Sequence, residues 1–147
     1  MTTFSHLGIC VSDLERSVRF YVEGLGFEEA ERWQVGPEYG ALMELPDVVL
    51  TSQFLRRGDH AIELLHYEAP GHVGPGERRP VNALGLTHLC FRVDDVEEVA
   101  ARLVALGGAV HPHTRTTFGE PGGSPTLDFV YCTDPDGTRV ELMRLPA

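Results

Sequence analysis

The sequence predicts an α+β fold built from two copies of a β-α-β-β-β module, and three observations indicate it. The segment that begins at His6 recurs as a segment that begins at His88, 82 positions later. Each copy continues with a helix-like segment and then with further strand-like segments. Near its end, each copy carries a glutamate between apolar residues, Glu63 in the first and Glu141 in the second. We expect the modules to form a curved mixed sheet around a cleft, with the helices on the outer face.

The length of the chain limits this architecture to one domain. The chain has 147 residues, of which 42% are hydrophobic, and this is enough for one domain with a core of its own. We therefore expect a single domain over residues 1–147. Within it, the first module spans about 1–68 and the second about 85–147, joined by a linker over about 69–84 that is rich in Pro and Gly.

The first strand of each copy is predicted from alternation. In the segment 5–11, Leu7, Ile9 and Val11 share one face. The second copy repeats this pattern with Leu89 and Phe91. The opposite face carries the residues His6, Gly8 and Cys10 in the first copy and His88, Cys90 and Arg92 in the second.

A helix is expected to follow each of these strands and to cover its apolar face. The segment Ser12-Asp13-Leu14-Glu15 has the pattern of a capping box. Apolar residues then recur at helical spacing, and Gly26 lies where a glycine ends a helix. The second helix repeats this pattern and ends at Gly107-Gly108.

Strand-like segments complete each copy. In the first copy they are 27–33, 39–44, 48–55 and 61–67, of which the second and third can be one interrupted strand; in the second copy they are 109–116, 127–133 and 138–145. The turn Asp134-Pro135-Asp136-Gly137 connects the last two, because proline presets the turn angle and glycine accepts a positive φ. We interpret the glycine-rich segment 119–124 as a mobile loop that can act as a lid.

Four side chains of the metal-ligand type occupy matching positions in the two copies: His6, Glu63, His88 and Glu141. The apolar neighbours of each glutamate face the helices, so both carboxylates are expected on the opposite face, with the histidines. Imidazole and carboxylate are the donors that borderline and hard divalent ions prefer. The sequence therefore predicts one site with two imidazoles and two carboxylates around one Ni²⁺, Co²⁺, Zn²⁺, Mn²⁺ or Fe²⁺.

Four protein ligands leave positions open on such an ion, and this favours catalysis. A substrate with two adjacent oxygens could chelate there, and the ion would polarise its carbonyl and stabilise an enediolate. A glutamate that leaves the ion could then act as the base. The alternation also places side chains that shape the cleft, which are Cys10, Tyr67, Cys90, Arg92 and Met143. The other histidines show no match between the copies, and the pair His111 and His113 is expected to be exposed.

The bulk composition excludes several classes of protein. The net charge is −10 without any basic cluster, so a nucleic-acid partner is not expected. No apolar run approaches the roughly 20 residues of a membrane helix, and the segment Met1-Thr2-Thr3-Phe4 lacks the pattern expected of a signal peptide. Three cysteines fit a reducing, cytoplasmic setting. The absence of lysine beside many Ala, Gly, Pro and Arg residues suggests a bacterial source.

These residues resemble the vicinal oxygen chelate superfamily, which contains glyoxalase I, methylmalonyl-CoA epimerase, extradiol dioxygenases and the fosfomycin and bleomycin resistance proteins. The resemblance covers nearly the whole chain. It rests on the paired modules, on the start His6…Val11-Ser12-Asp13-Leu14…Phe20-Tyr21…Leu25-Gly26-Phe27 and on the end Asp134-Pro135-Asp136-Gly137…Val140-Glu141-Leu142. It implies that His6, Glu63, His88 and Glu141 match the metal positions of glyoxalase I. It also implies that Glu141, with Glu63 as the alternative, is the proton-transfer base.

The resemblance leaves the substrate open at two positions. Cys10 stands where glutathione-using bacterial glyoxalase I has an arginine, and Tyr67 stands where it has an asparagine. Three functions therefore compete: a metal-dependent lyase or isomerase of glyoxalase I type, an extradiol-type dioxygenase, and a non-catalytic protein that sequesters a drug. A dioxygenase would need only His6, His88 and Glu141 on Fe²⁺, so Glu63 as a fourth ligand counts against it. Four retained ligands count against the sequestering protein.

The expected partner of the chain, besides a small-molecule substrate, is a second copy. Modules of this family pair within a chain or across a dimer, and short exposed module edges favour a homodimer. Whether the four ligands come from one chain or from two is left open by the sequence.

Overall fold

The computed structural model describes residues 1–119, 123 and 126–146. These residues divide into two compact units, Met1–Pro75 and Gly76–Ala147. The division falls inside the predicted linker. The predicted mobile loop 119–124 lies, apart from Gly119 and Gly123, outside the described residues.

The first unit confirms the predicted β-α-β-β-β order and adds short helical turns. Its elements are β1 (Leu7–Cys10), α1 (Leu14–Arg19) with a π-helical continuation (Phe20–Gly24), β2 (Glu28–Val35), a 3-10 turn (Pro37–Tyr39), α2 (Gly40–Met43), β3 (Val49–Arg57) and β4 (His60–Ala69). The strands form one mixed sheet in the order β1-β4-β3-β2, in which only the β1–β4 pair is parallel.

Helix α1 covers one face of this sheet. Val18 and Tyr21 on the helix and its π-helical continuation are buried, as are Ile9, Ile62 and Leu64 on the strands. The helical segment stops at Gly26, whose φ of 73° suits glycine and whose amide donates to the carbonyl of Val22. This packing leaves the opposite face of the sheet to the residues that alternate with the core residues.

Two local predictions for the first unit are wrong. The cap of α1 is Asp13 rather than Ser12, because the Asp13 carboxylate accepts a hydrogen bond from the Arg16 amide at 3.0 Å. The predicted strand over 39–44 is helical instead. Its end is fixed by Glu44 in the left-handed conformation, with a φ of 57°. A largely apolar segment of six residues is too short to distinguish a strand from a helical turn.

The second unit repeats the plan. Its elements are β5 (Leu89–Arg92), α3 (Val96–Ala105), β6 (Ala109–Phe118), β7 (Leu127–Thr133) and β8 (Arg139–Arg144). The sheet order is β5-β8-β7-β6, and among the described residues of this unit β5–β8 is again the parallel pair. The α+β class and the duplicated module are thus confirmed.

Helix α3 covers one face of the second sheet with Val99 and Leu103, which pack with the buried Val140 and Leu142 of β8 on that side. Asp95 caps the helix by accepting from the amides of Glu97 and Glu98. Because Val140 and Leu142 are buried beneath α3, the side chain of the residue between them is directed to the other face. Within the described part of the chain, no helix is long and apolar enough to cross a membrane.

Candidate metal centre

The first unit brings His6 and Glu63 together. His6 immediately precedes β1, and Glu63 lies on β4, where its register partner is Gly8. Parallel pairing of the two strands therefore places both side chains on the face that α1 leaves open. His6 Nε2 lies 3.1 Å from Glu63 Oε2.

The second unit brings His88 and Glu141 together in the same way. His88 immediately precedes β5, and Glu141 on β8 pairs in register with Cys90. His88 Nε2 lies 2.9 Å from Glu141 Oε2. Each unit thus presents one imidazole and one carboxylate, and both residues of each pair are partly exposed to solvent.

The other ring nitrogen of each histidine is bound by a hydroxyl group. A hydrogen bond of 2.9 Å joins His6 Nδ1 to Ser5 Oγ, and one of 2.8 Å joins His88 Nδ1 to Thr87 Oγ1. A partner at Nδ1 orients the ring and leaves Nε2 as the nitrogen that can bind a metal ion. Sequence reasoning missed these hydroxyls, although a hydroxyl residue directly before each matched histidine was a detectable signal.

An aromatic ring packs against each histidine. The Phe54 ring centroid lies 5.0 Å from that of His6 at an interplanar angle of 77°, and the Tyr131 centroid lies 5.7 Å from that of His88 at 56°. Both aromatic residues are the register partners of the glutamates on the neighbouring strand. They restrict the rotation of the imidazoles and add an apolar wall to each pair.

The two carboxylates differ in their remaining partners. The Ser52 hydroxyl donates to Glu63 Oε1 at 2.5 Å. The Cys90 thiol is a hydrogen-bond partner of Glu141, and its pKa is raised by burial, by the Glu141 charge and by that hydrogen bond. Ser52 was missed by sequence reasoning, because only the register of β3 against β4 places it beside Glu63.

Two of the predicted cleft residues belong to the first unit. Cys10 is exposed and pairs in register with Leu65, which lies two residues beyond Glu63 on the same face. The pKa of Tyr67 is raised by burial and by the nearby Cys10 and Glu63, and its hydroxyl contacts Met43 Sδ at 3.8 Å. These contacts place Cys10 and Tyr67 on the side of the sheet that carries Glu63.

The other predicted cleft residues belong to the second unit. Cys90 adjoins Glu141, and Met143 lies two residues beyond it on the same face. Arg92 donates to the carbonyl oxygen of Pro146 at 3.2 Å. A hollow of about 220 Å³ opens beside the carboxylate, lined by Thr114, Thr116, Phe129, Val130, Tyr131 and Glu141.

Arg139 holds the backbone next to the His88–Glu141 pair. It is buried, its guanidinium lies 5.2 Å from the centroid of the Tyr131 ring, and it donates to the carbonyl oxygens of Thr87 and Arg79. Since Thr87 in turn binds the ring of His88, Arg139 fixes the backbone from which that histidine projects. In the first copy the matching position is Ala61, so sequence comparison of the copies gave no signal for it.

Each pair has the donor chemistry and the spacing that a divalent ion requires. Two donors about 3 Å apart subtend an angle of about 90° at an ion with bonds of about 2.1 Å, which suits two adjacent ligand positions. In the described residues, no group of three or more His, Cys, Asp or Glu side chains is arranged to hold a metal ion. The grouping of all four residues around one ion therefore stays a prediction.

Comparison with known sequences relates nearly the whole chain to one superfamily. Residues 3–142 match the family described as the Glyoxalase/Bleomycin resistance protein/Dioxygenase superfamily. The ethylmalonyl-CoA/methylmalonyl-CoA epimerase of Cereibacter sphaeroides is 31% identical over 138 residues, which are 94% of this chain and 94% of the relative. The lactoylglutathione lyase of Haemophilus influenzae is 31% identical over 140 residues, with coverage of 94% and 89%.

Solved structures show the same fold. A glyoxalase family protein from Bacillus cereus aligns with a TM-score of 0.82 at 21% identity, over 100% of this chain and 96% of that one. The fosfomycin resistance protein FosX from Listeria monocytogenes, whose structure is complexed with Mn(II) and sulfate, aligns with a TM-score of 0.58 at 18% identity, with coverage of 98% and 93%. At these identities the likeness concerns the fold alone.

Proposed function

This chain belongs to the Glyoxalase/Bleomycin resistance protein/Dioxygenase superfamily, and from that membership we propose that it is a divalent-metal-dependent isomerase or lyase of glyoxalase I type. Its substrate is a small molecule with two adjacent oxygens. The observation that carries the proposal is the repeated pair in which a histidine Nε2 faces a glutamate Oε2, at 3.1 Å in one unit and 2.9 Å in the other. Enzymes among the relatives, a lyase and an epimerase, support it.

The metal ligands in this proposal are His6, Glu63, His88 and Glu141, supplied by one chain or by two copies. Ni²⁺, Co²⁺, Zn²⁺, Mn²⁺ and Fe²⁺ all accept this set of two nitrogens and two oxygens. A bound ion of this kind polarises the substrate carbonyl and stabilises negative charge on its oxygens.

The protein itself supplies the base and the walls of the site. Glu141 is the proposed base, with Glu63 as the alternative, because a carboxylate next to the substrate can take a proton from the carbon beside the carbonyl and return it elsewhere. Phe129 and Tyr131 line the hollow next to Glu141 and give it aromatic walls. Cys10 and Tyr67 stand where the resemblance places an arginine and an asparagine in glutathione-using glyoxalase I, so the proposed substrate carries a different thiol or none.

Epimerisation is the second candidate, and the relative from Cereibacter sphaeroides favours it, since it matches this chain over 94% of both sequences. Both reactions begin with removal of a proton next to a carbonyl. They differ in where the proton returns: to the same carbon in an epimerase, and to the neighbouring carbon in a glyoxalase-type isomerase.

The test is divalent-ion binding by the purified chain. After removal of metal with EDTA, titration calorimetry with Ni²⁺, Co²⁺ or Zn²⁺ should find one ion per chain, since four ligands per chain complete one site. His6→Ala and His88→Ala should each weaken binding strongly, because each removes a nitrogen donor. The matched control is His113→Ala, which removes an exposed histidine from β6 and should leave the affinity unchanged.

A wild-type chain that binds none of these ions would refute the proposed enzyme. If binding is found, metal-loaded protein should be incubated in D₂O with 2-oxoaldehyde–thiol adducts and with 2-substituted acyl thioesters. Solvent deuterium next to the carbonyl then identifies proton transfer, and the position of the deuterium separates isomerisation from epimerisation.

A further inference from the structure

We propose that Ser52 is a positioning residue that fixes Glu63 as a permanent ligand and thereby makes the two glutamates of the site unequal. The inference rests on the proposed metal-dependent function and concerns how the chain divides the work between its two carboxylates.

The first observation is the double engagement of Glu63. Its Oε2 faces His6 Nε2, while its Oε1 accepts the hydrogen bond from Ser52. Ser52 is 3% exposed, so its hydroxyl lies away from bulk water and has the carboxylate as its partner. A hydrogen bond to an ionised acceptor is among the stronger ones in a protein, and moving Glu63 would leave a buried hydroxyl unpaired.

The second observation is the residue at the matching place in the second unit. Ser52 on β3 pairs with Leu65, two residues beyond Glu63. On β7 the residue that pairs with the position two beyond Glu141 is Phe129, whose partner is Met143. A phenyl ring cannot donate a hydrogen bond, so nothing at this position holds the second oxygen of Glu141.

The third observation is the surroundings of Glu141. Among the described residues, Glu141 is bound by His88 and by the thiol of Cys90, and a thiol is a weaker donor than a hydroxyl. The carboxylate also borders the hollow of about 220 Å³ that Phe129 and Tyr131 line. Glu141 therefore has both a weaker restraint and space beside it, which a group that changes position during turnover needs.

The experiment is a double-mutant cycle on Zn²⁺ affinity, measured with metal-free full-length protein by competition with a chromogenic chelator. Ser52→Ala removes one oxygen atom and should weaken Zn²⁺ binding about 10- to 100-fold, the usual effect of losing a partner of a metal ligand. In a Glu63→Ala background, Ser52→Ala should change the affinity less than about 2-fold, because Ser52 acts through Glu63. Glu141→Ala should weaken binding less than Glu63→Ala does.

The matched control is Thr51→Val. It removes a buried hydroxyl from the neighbouring position of β3, which lies on the opposite face and donates to Glu68 instead. This variant should bind Zn²⁺ as the wild type does. Thermal unfolding of each metal-free variant reports whether it is folded, and the comparison of Glu63→Ala with Glu141→Ala tests the inequality without any change at Ser52.

Three results would overturn the inference while leaving the proposed function intact. They are a Ser52→Ala protein with wild-type affinity, an equal effect of Ser52→Ala with and without Glu63, and an effect of Glu141→Ala at least as large as that of Glu63→Ala. A wild-type protein that binds no Zn²⁺, Ni²⁺ or Co²⁺ at all is a different outcome, since it removes the proposed function and this inference together.

Discussion

His111, which the sequence predicted to be exposed, is half-buried among positive charges. Its Nε2 atom is enclosed and has no hydrogen-bond partner within the described part of the chain. Its pKa is lowered by burial and then by the charges of Arg78, His113 and Arg139. The folded protein therefore holds His111 neutral at a pH at which the unfolded chain would already protonate it.

This difference predicts a pH-dependent loss of stability. Because the pKa of His111 is lower in the folded state, the unfolded state binds more protons as the pH falls below about 6.5, and the free energy of unfolding decreases until the folded-state pKa is reached. His111→Gln removes the titrating group. The wild type should therefore lose stability relative to this variant between pH 7.5 and pH 5.5, measured by urea unfolding in EDTA.

Wild type and His111→Gln share every other titrating group. The contributions of those groups therefore cancel when the two free energies of unfolding are subtracted at each pH. His60→Gln, at an exposed position on β4, is the matched control for exchanging a histidine for glutamine. A constant difference between wild type and His111→Gln across the range would contradict the assignment.

At the scale of single residues, the sequence predicted the face of each proposed metal ligand but not its hydrogen-bond partners. The match between copies identified His6, Glu63, His88 and Glu141, and the structure brings each histidine to the glutamate of its own unit. Ser52 could not be predicted, because alternation assigns a residue to a face, whereas a hydrogen bond depends on strand register.

Among the elements, the duplicated module repeats an ionic strap between its second strand and the start of its helix. In the first unit, Arg32 on β2 binds Gln53 and, at 3.0 Å, Glu15 in the first turn of α1. In the second unit, Arg115 on β6 binds Asp128 and, at 2.8 Å, Glu97 in the first turn of α3. Each arginine lies on a strand with an irregular register. The register shifts between Glu29 and Arg32 on β2 and between His111 and Thr116 on β6.

In the second unit, the two carboxylates that bind Arg115 are expected to contribute very differently to the free energy of unfolding. Arg115 meets Asp128 through two hydrogen bonds, of 2.8 Å and 2.7 Å, and Asp128 is 3% exposed. Breaking a fully buried pair costs about 3–5 kcal/mol. Since the side chain of Arg115 remains 34% exposed, we expect Asp128→Ala to lower the free energy of unfolding by about 2 kcal/mol.

Glu97→Ala is the matched control, because it removes a partner of the same guanidinium. The Glu97 side chain is 75% exposed, so its loss should cost less than about 1 kcal/mol. Chemical denaturation of both variants at neutral pH measures the two values. Equal losses would show that the buried contact contributes no more than the exposed one.

Some features of the helices and strands could be predicted from the sequence, and others could not. Strand and helix order followed from periodicity, whereas the caps Asp13 of α1 and Asp95 of α3 did not, because the capping-box pattern placed the first cap at Ser12. The strap was detectable as well, since Glu15 and Glu97 are 82 positions apart, like His6 and His88. The helical turns over 37–43 were not detectable, because seven residues are too few to show a helical period and the end of the last turn depends on Glu44 in the left-handed conformation.

For the whole molecule, the surface predicts association with a second copy. The outer strands β2 and β6 each end a sheet. They carry exposed aromatic side chains, Trp33 at 58% and Phe118 at 56%. Sheet edges with unpaired backbone groups and exposed aromatic residues favour contact with another protein surface. In a small enzyme the commonest such partner is an identical chain related by a twofold axis.

We therefore expect light scattering to find particles of two chains, each of 16.2 kDa, at micromolar concentration. Trp33→Gln together with Phe118→Gln should shift the mass towards one chain, because polar side chains weaken an apolar contact. The exposed Leu42→Gln on α2 is the control and should leave the mass unchanged. The same measurement should be repeated after metal has been removed with EDTA. If two copies share each ion, removal of the ion should promote dissociation. If all four ligands of an ion come from one chain, the particle mass should not depend on metal. A mass of one chain at every concentration would refute the dimer and would require each chain to complete its own site.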